Sequence, residues 1–256
     1  MTDDVRARLA AAGVPDPAGD AARLRREAPD DATFAAWIDR RAAREPVSQI
    51  IGRRAFWAHD FIVTRDVLDP RPDTETLVEA ALAEPFDRVL DLGTGSGCIL
   101  LSLLHERPAA TGLGTDVSKA ALAVARRNAA ATGVGARAGF LRADWFAGVE
   151  GPFDLIVSNP PYISEGEMAE LEPEVREWEP QGALTPGGDG LDAYRAIAAG
   201  AQAHLAEGGH LMVEIGPTQA DVVSALFAEA GFAGITVVCD INGRNRVVRA
   251  EKSRRS

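Results

Sequence analysis

The 256-residue chain has 46% hydrophobic and 25% charged residues and a net charge of −11, a globular balance with room for one α/β domain and a small appendage. The acidic surplus disfavours broad contact with a phosphate backbone. No apolar run approaches the ~20 residues of a membrane helix, and the polar Met1-Thr2-Asp3-Asp4 is unlike a signal peptide, so a cytoplasmic protein without a membrane partner is expected.

Cys98 and Cys239 stand far apart without a CxxC, and His59, His105, His204 and His210 lack ligand spacing; neither a disulfide framework nor a metal site is expected. Residues 1–45 alternate Ala, Leu, Arg and Asp at helical spacing, with breaks at Gly13-Val14-Pro15 and Pro29-Asp30-Asp31. Two or three short helices follow from that pattern. From Pro46 to Leu68 the β-branched and aromatic residues Ile50-Ile51, Phe56-Trp57 and Phe61-Ile62-Val63 predict a β-hairpin.

Asp69-Pro70-Arg71-Pro72-Asp73-Thr74-Glu75 is a proline-stiffened turn, in which Asp73 or Thr74 is expected to cap a helix over 75–84. Arg71, fixed between two prolines, is a candidate for a substrate carbonyl or carboxylate, the alternative being a surface ion pair. Beyond Pro85 the pattern alternates: strands over 88–91, 112–116, 138–141 and 154–158, with helices over 98–106 and 119–132. A strand over 210–215, a helix over 219–230 and an antiparallel pair over 235–240 and 246–250, turning at Asn242-Gly243, complete it. Strands alternating with helices imply a mostly parallel sheet covered on both faces.

Residues 89–98 read Val-Leu-Asp-Leu-Gly-Thr-Gly-Ser-Gly-Cys, a strand running into a glycine loop at a helix start. Such a loop lets backbone approach a ligand closely. The spacing is G-x-G-x-G, not the dinucleotide G-x-G-x-x-G, and Asp91 before it suits an amino group and repels a pyrophosphate. Asp116, ending the next strand, is placed to accept ribose hydroxyls. Asp144 and Trp145 end the third, where a carboxylate meets an adenine amino group and an indole covers the ring. Asp91, Gly93, Gly95, Gly97, Asp116 and Asp144 at successive strand ends imply S-adenosylmethionine.

The fourth strand stops at Asn159-Pro160-Pro161-Tyr162. Neither proline has an N–H, and a residue before proline is held extended, so Asn159 is stiffly directed. Its side-chain oxygen and the Pro160 carbonyl suit the two N–H donors of a planar amide or exocyclic amine, with Tyr162 packing on the face. A structural strand-end turn is the alternative.

With that turn added, the chain resembles class I methyltransferases acting on amide or exocyclic nitrogen. Residues 70–75, the glycine loop, Asn159–Tyr162, Glu179-Pro180 with Ala183-Leu184, Gly188-Asp189-Gly190-Leu191 and Gly243-Arg244-Asn245-Arg246 narrow the likeness. It is to the peptide chain release factor N(5)-glutamine methyltransferase family, over Pro46 to Ala250. Asp69 and Asp73 depart from the isoleucine and glutamate usual there, which bears on the geometry of that loop.

The resemblance implies a Rossmann-like class I methyltransferase fold, with a seven-stranded sheet, a C-terminal antiparallel hairpin and a small N-terminal helical domain. It divides the chain into a helical substrate-recognition domain (1–45), a β-hairpin linker (46–72) and the methyltransferase domain (73–256). It implies cofactor contacts at Asp91, Gly93, Thr94, Gly95, Gly97, Asp116, Asp144, Trp145 and Asn159. Asn159, Pro160, Pro161 and Tyr162, with Arg71 beside them, would hold the glutamine amide; Asn159, Pro160 and Tyr162 would be catalytic. The implied partners are release factors, met by a monomer through their Gly-Gly-Gln loop without direct contact to nucleic acid.

The rivals are a DNA adenine or RNA guanine N-methyltransferase, which uses the same turn on a flipped base, and a nucleotide-sensing module without catalysis. Between Tyr162 and Leu184 the chain carries Glu165, Glu167, Glu170, Glu172, Glu174, Glu177 and Glu179 against Arg176 alone. A solvated acidic stretch beside the catalytic turn would repel phosphates across a screening length of ~8 Å.

Overall fold

The computed structural model describes residues 2–253. Four helices come first: α1 (Thr2–Ala11), α2 (Pro17–Glu27), α3 (Asp31–Ala42) and α4 (Val47–Ile51). Asp16 and Asp30 cap α2 and α3, their carboxylates accepting from Gly19 N and Thr33 N at 2.9 and 2.7 Å, which satisfies donors a helix start leaves open. Leu9, Val14, Leu24, Ile38 and Ile50 close a small core of their own.

The hairpin is shorter than the sequence suggests. It consists of β1 (Arg53–Phe56) and β2 (His59–Ile62), while Ile50 and Ile51 lie in α4. Apolar packing decides there, since Ile50 is buried in the helical core, overriding the β preference of its branched side chain.

The main domain runs α5 (Glu75–Leu82), β3 (Arg88–Leu92), α6 (Cys98–Glu106), β4 (Thr111–Asp116), α7 (Lys119–Ala131), β5 (Ala138–Arg142) and β6 (Phe153–Ser158). Two short helices, α8 (Pro173–Arg176) and α9 (Gln181–Leu184), lead to α10 (Asp192–His204), β7 (Leu205–Glu214), α11 (Ala220–Glu229), β8 (Ala233–Cys239) and β9 (Asn245–Glu251). The sheet order is β5-β4-β3-β6-β7-β9-β8, parallel except for β9, which is antiparallel to both neighbours. The seven strands and the closing hairpin are those expected from sequence.

Leu90, Leu92, Ile156 and Val213 are fully buried beneath one sheet face with Tyr194 and Ile197 of α10, and Val89, Leu155 and Val157 beneath the other with Leu100 and Leu101 of α6. Burying a side chain of this size stabilises by about 1.5–3 kcal/mol. β6 reads as an unbroken apolar run because helices cover both its faces. The chain reverses direction across the sheet between β3 and β6, and in such sheets the crevice at the strands' carboxyl ends takes the ligand.

Candidate active site

A cavity of about 450 Å³ opens at that reversal point, within the range of small-molecule sites. The glycine loop forms its floor. Gly93, Gly95 and Gly97 all have positive φ (68°, 53° and 82°), backbone that other residues adopt only with strain. A Cβ built at Gly93 would meet nothing within 4 Å, whereas one at Gly97 would stand 3.1 Å from Leu101 Cδ1 and 3.3 Å from Ala125 Cβ. Gly93 therefore leaves ligand space open, and Gly97 lets α6 and α7 pack.

Asp91, fully buried below the loop, accepts from the Thr94 hydroxyl at 2.6 Å through Oδ2, while its Oδ1 has no partner. Burial pushes its carboxyl up to about 7, against the opposing Thr94 bond. A buried acceptor without a donor fits a cationic or amino-bearing ligand. Asp116 is fixed at the end of β4 by Gly95 N (3.0 Å) and Ser118 N (2.8 Å); burial raises its pKa, with those two amides opposing. It lines the cavity beside Asp144, Trp145 and Val117. Val117 is 58% exposed, an uncovered apolar surface next to Asp116. Open loop and apolar wall together suit an adenosine bearing an amino acid, while Asp91, which like Gly97 does not itself line the cavity, lies fully buried beneath the loop.

On the opposite side lie Asn159, Pro161, Thr74 and Arg71. Strand β6 delivers Asn159: Ser158 just before it is fully buried and donates to the Leu92 carbonyl at 2.7 Å, and Pro160 and Pro161 end the ladder. Asn159 Nδ2 donates to Thr74 Oγ1 at 3.2 Å, which leaves its Oδ1 for the cavity. Thr74 thus has a task that helix capping does not describe, and it makes no side-chain cap to α5. Asp73 does not cap either, pairing instead with Arg246 at 3.0 Å. The expected cap at Asp73 or Thr74 gives way because both side chains meet stronger partners across the fold.

The remaining expected site residues are arranged differently. Pro160 and Tyr162 are not among the residues lining the cavity. The Tyr162 ring packs on the core beside β7, with its hydroxyl 3.5 Å from Glu214 Oε1. Its main-chain carbonyl accepts from Gln219 Nε2 at 3.0 Å, which pins the far end of the turn. Arg71 reaches the cavity, yet its Nη2 donates to both oxygens of Glu179, at 2.7 and 2.6 Å. The surface ion pair considered from sequence becomes a half-buried one.

The acidic stretch is not a solvated helix. It forms short turns around α8 and α9, and Glu174 and Glu179 face inward. Glu174 takes Arg41 Nη2 (2.7 Å) and Arg44 Nε (2.7 Å), so two of the seven glutamates, Glu174 and Glu179, are internally neutralised while Glu165, Glu167, Glu170, Glu172 and Glu177 stay exposed. Sequence reasoning missed Thr74 as a partner of Asn159, Glu214 and Gln219 beneath the turn, and Arg41 and Arg44 as clasps. Their signal lies in contacts of 52 to 133 positions separation, which no local pattern carries.

Comparison with known proteins identifies the family. A family model described as "Methyltransferase small domain" matches residues 55–177. The release factor glutamine methyltransferase of Cereibacter sphaeroides is 57% identical over 261 residues, covering 95% of this chain and 94% of that protein. Its namesake from Agrobacterium fabrum is 45% identical over 269 residues, 95% of this chain and 93% of that one. Among solved structures, a methyltransferase from Pyrococcus furiosus superposes with a TM-score of 0.60 at 16% identity, covering 87% of this chain and 99% of that chain, a likeness of fold. Identity at this level along almost the whole length shows that the chain belongs to the release factor glutamine methyltransferase family.

Proposed function

We propose that this enzyme transfers a methyl group from S-adenosylmethionine to the side-chain amide nitrogen of the glutamine in the Gly-Gly-Gln loop of a peptide chain release factor. The observation that carries the reading is the side-chain bond from Asn159 to Thr74, which occupies the amide nitrogen of a residue lining the same cavity the glycine loop floors and so supports its oxygen as the acceptor. Near-full-length identity to relatives bearing that activity in their names supports it.

S-adenosylmethionine supplies a methyl group activated on a positively charged sulfur. The protein's task is orientation, because an amide nitrogen is a poor nucleophile whose lone pair is delocalised. Gly93, Thr94, Gly95, Asp116, Asp144 and Trp145 hold the adenosine side, with Asp91 below the loop toward the amino group. Asn159 Oδ1 and the carbonyl of Pro160, which lies between the cavity-lining Asn159 and Pro161, accept the two amide protons. Holding both reactants in register supplies roughly 7–11 kcal/mol of the barrier. Water takes the leftover proton, and no general base is required.

Residues 1–45 serve as the recognition domain, 46–72 as its hairpin connection and 73–256 as the catalytic domain, acting as a monomer in the cytoplasm. No described helix is long and apolar enough to cross a membrane. Methyl transfer to purified release factor, read by mass spectrometry, tests the reading. Transfer is expected on the wild-type loop and lost when its glutamine is replaced. Transfer to DNA or RNA with none to intact release factor would overturn it.

A further inference from the structure

The side of the cavity that holds Asn159 also carries Arg71. Its side chain is 36% exposed, while that of its partner Glu179 is 1% exposed, and Glu179 does not line the cavity. The arginine stands in front and the carboxylate behind. Their pairing is unlike the usual fork, in which two guanidinium nitrogens meet two oxygens. Nη2 alone serves both, reaching Oε1 at 2.7 Å and Oε2 at 2.6 Å. Among the described residues no acceptor meets Nε or Nη1. The carboxylate nearest in sequence is passed over: Asp69 Oδ2 accepts from the Ser48 hydroxyl, and its Oδ1 has no partner.

Both ends of the pair are fixed by main-chain bonds. Arg71 lies between Pro70 and Pro72, and its carbonyl accepts from Thr74 N at 3.0 Å. The Glu179 N–H donates to the Val175 carbonyl at 3.1 Å, and the carbonyl of Trp178 just before it accepts from Gln49 Nε2 at 3.2 Å. Cohesion alone does not account for the arrangement. Desolvation offsets much of the attraction in a buried charge pair, so such a pair is weak evidence for stability, and one built for attraction would use the fork. The grip through a single nitrogen leaves the Nε proton and both Nη1 protons unused, on a residue that lines the cavity.

The proposed substrate has a group that takes them. A Gly-Gly-Gln loop has no side chain ahead of its glutamine, so a site that reads it must use peptide N–H and C=O groups. In the amide-transfer reading Asn159 and Pro160 supply acceptors only. Arg71 supplies donors, which a peptide carbonyl needs once the cavity takes it out of water. We infer that Glu179 is a positioning residue, holding the Arg71 guanidinium by Nη2 so that Nε and Nη1 donate to main-chain carbonyls of the substrate's glycine loop. This rests on the amide-transfer reading and extends it from the reacting amide to the loop that carries it. Those carbonyls do not change during methyl transfer, so the contact is equally strong before and during reaction and governs KM, not kcat.

The experiment measures transfer to purified release factor by the full-length parent, R71M, E179Q and R71M/E179Q. It is run above the value of about 7 to which burial pushes the Glu179 carboxyl, the Arg71 charge opposing and the Asp69 charge adding, so that Glu179 is ionised. KM is expected to rise about tenfold to a hundredfold in R71M, the size of hydrogen bonds from a charged donor, and about threefold to tenfold in E179Q. In both, kcat and calorimetric S-adenosylmethionine affinity stay parental. E179Q adds nothing to R71M, because Glu179 acts through Arg71. The double variant leaves no buried charge without its partner, so it carries the test where R71M alone folds poorly. Parental KM in R71M/E179Q, or an E179Q effect as large in the R71M background as in the parent, overturns the inference. A second readout needs no substrate. The Arg71 Nη signals, assigned by their loss in R71K, are expected to be resolved in the parent, where the guanidinium is held, and averaged by rotation in E179Q. Averaged signals in the parent also overturn the inference. If the parent methylates no release factor, the amide-transfer reading fails by itself and the carbonyl contact with it, while the Arg71 signals still decide whether Glu179 holds the guanidinium.

Discussion

The sheet carries the cavity at its strand ends and the N-terminal helices bind the segment beside it, but different forces hold the two regions. Around the sheet, fully buried Leu90, Ile156 and Val213 on one face and Leu100 and Val157 on the other form apolar layers, and Asp116 and Asn159 are locked by backbone or side-chain bonds of 2.8 to 3.2 Å. The helices have a much smaller core and reach the segment after the catalytic turn through polar clasps. Arg41 and Arg44 grip Glu174 and Gln49 Nε2 donates to the Trp178 carbonyl at 3.2 Å, while Arg71, from the proline turn before α5, grips Glu179. Dense apolar packing has few alternative arrangements, whereas ion pairs weaken with salt and re-form elsewhere. On the proposed division of the chain, the chemistry would sit on the part that does not yield, and recognition on the part that can adjust to a protein surface.

Asn159→Ala breaks the rigid half at its working end and should have the largest effect. Losing one preorganised polar contact at the reacting group lowers turnover by about 10²–10³-fold. Single-turnover transfer should fall on that scale while the variant stays folded and keeps most S-adenosylmethionine affinity. A near-parental rate would remove amide orientation from the mechanism.

The rigid half was also the legible half. Each strand with its flanking glycine or proline is a local pattern, so the glycine loop, Asp116 and the Asn159 turn could be read from the chain and fall at neighbouring strand ends. Helix α10 was legible too, with Ala193, Tyr194, Ile197, Ala198 and Ala201 buried at helical spacing, yet no element is expected there from the reading above, because the preceding Gly187–Gly190 run masks its start. The clasps were not legible. Glu174 looks like any solvated glutamate until the fold brings Arg41 from 133 positions away, and seven glutamates in a row of turns suggest a negative wall when two of them face inward.

Asp116→Ala tests the cofactor side of the rigid half. A hydrogen bond to a charged acceptor contributes about 1.5–3 kcal/mol, so affinity for S-adenosylmethionine should drop about tenfold to a hundredfold. Calorimetry on the folded variant measures it, and unchanged affinity would take Asp116 out of the site.

Glu174→Gln loosens the adjustable half and should raise KM for release factor by about threefold to tenfold with kcat nearly unchanged, the scale of a charge pair weakened but still hydrogen-bonded. Burial pushes the Glu174 carboxyl up, and the bonds from Arg44 and Arg41 more than offset it, holding it below the usual carboxylate value. A depressed folded pKa gives stability that is present above the unfolded value and lost as pH falls through the folded one. The clasp should therefore be intact at neutral pH and open only in acid. Parental KM and salt dependence in the variant would mean that the clasp has no part in recognition.

The smallest effect is expected at Cys98, which tests whether the rigid half needs anything beyond shape. It is the first residue of α6, a position where a helix start can favour a thiolate, and it lines the cavity. Its side chain is nevertheless buried, and burial pushes the thiol up to about 12, against the opposing Ser96 bond. At neutral pH it is a thiol, a small apolar group packed under the glycine loop, and a poor nucleophile. Cys98→Ala should keep transfer within about twofold of the parent and cost about 1 kcal/mol of stability, the common size for a conservative buried change. Alkylation of the native enzyme should label exposed Cys239 first, as peptide mass spectrometry reads out. Loss of transfer in a folded C98A variant that still binds S-adenosylmethionine would reopen nucleophilic chemistry at this position. Preferential labelling of Cys98 would show that the loop above it opens, and that the half of the molecule built on apolar packing is less rigid than the half built on charge.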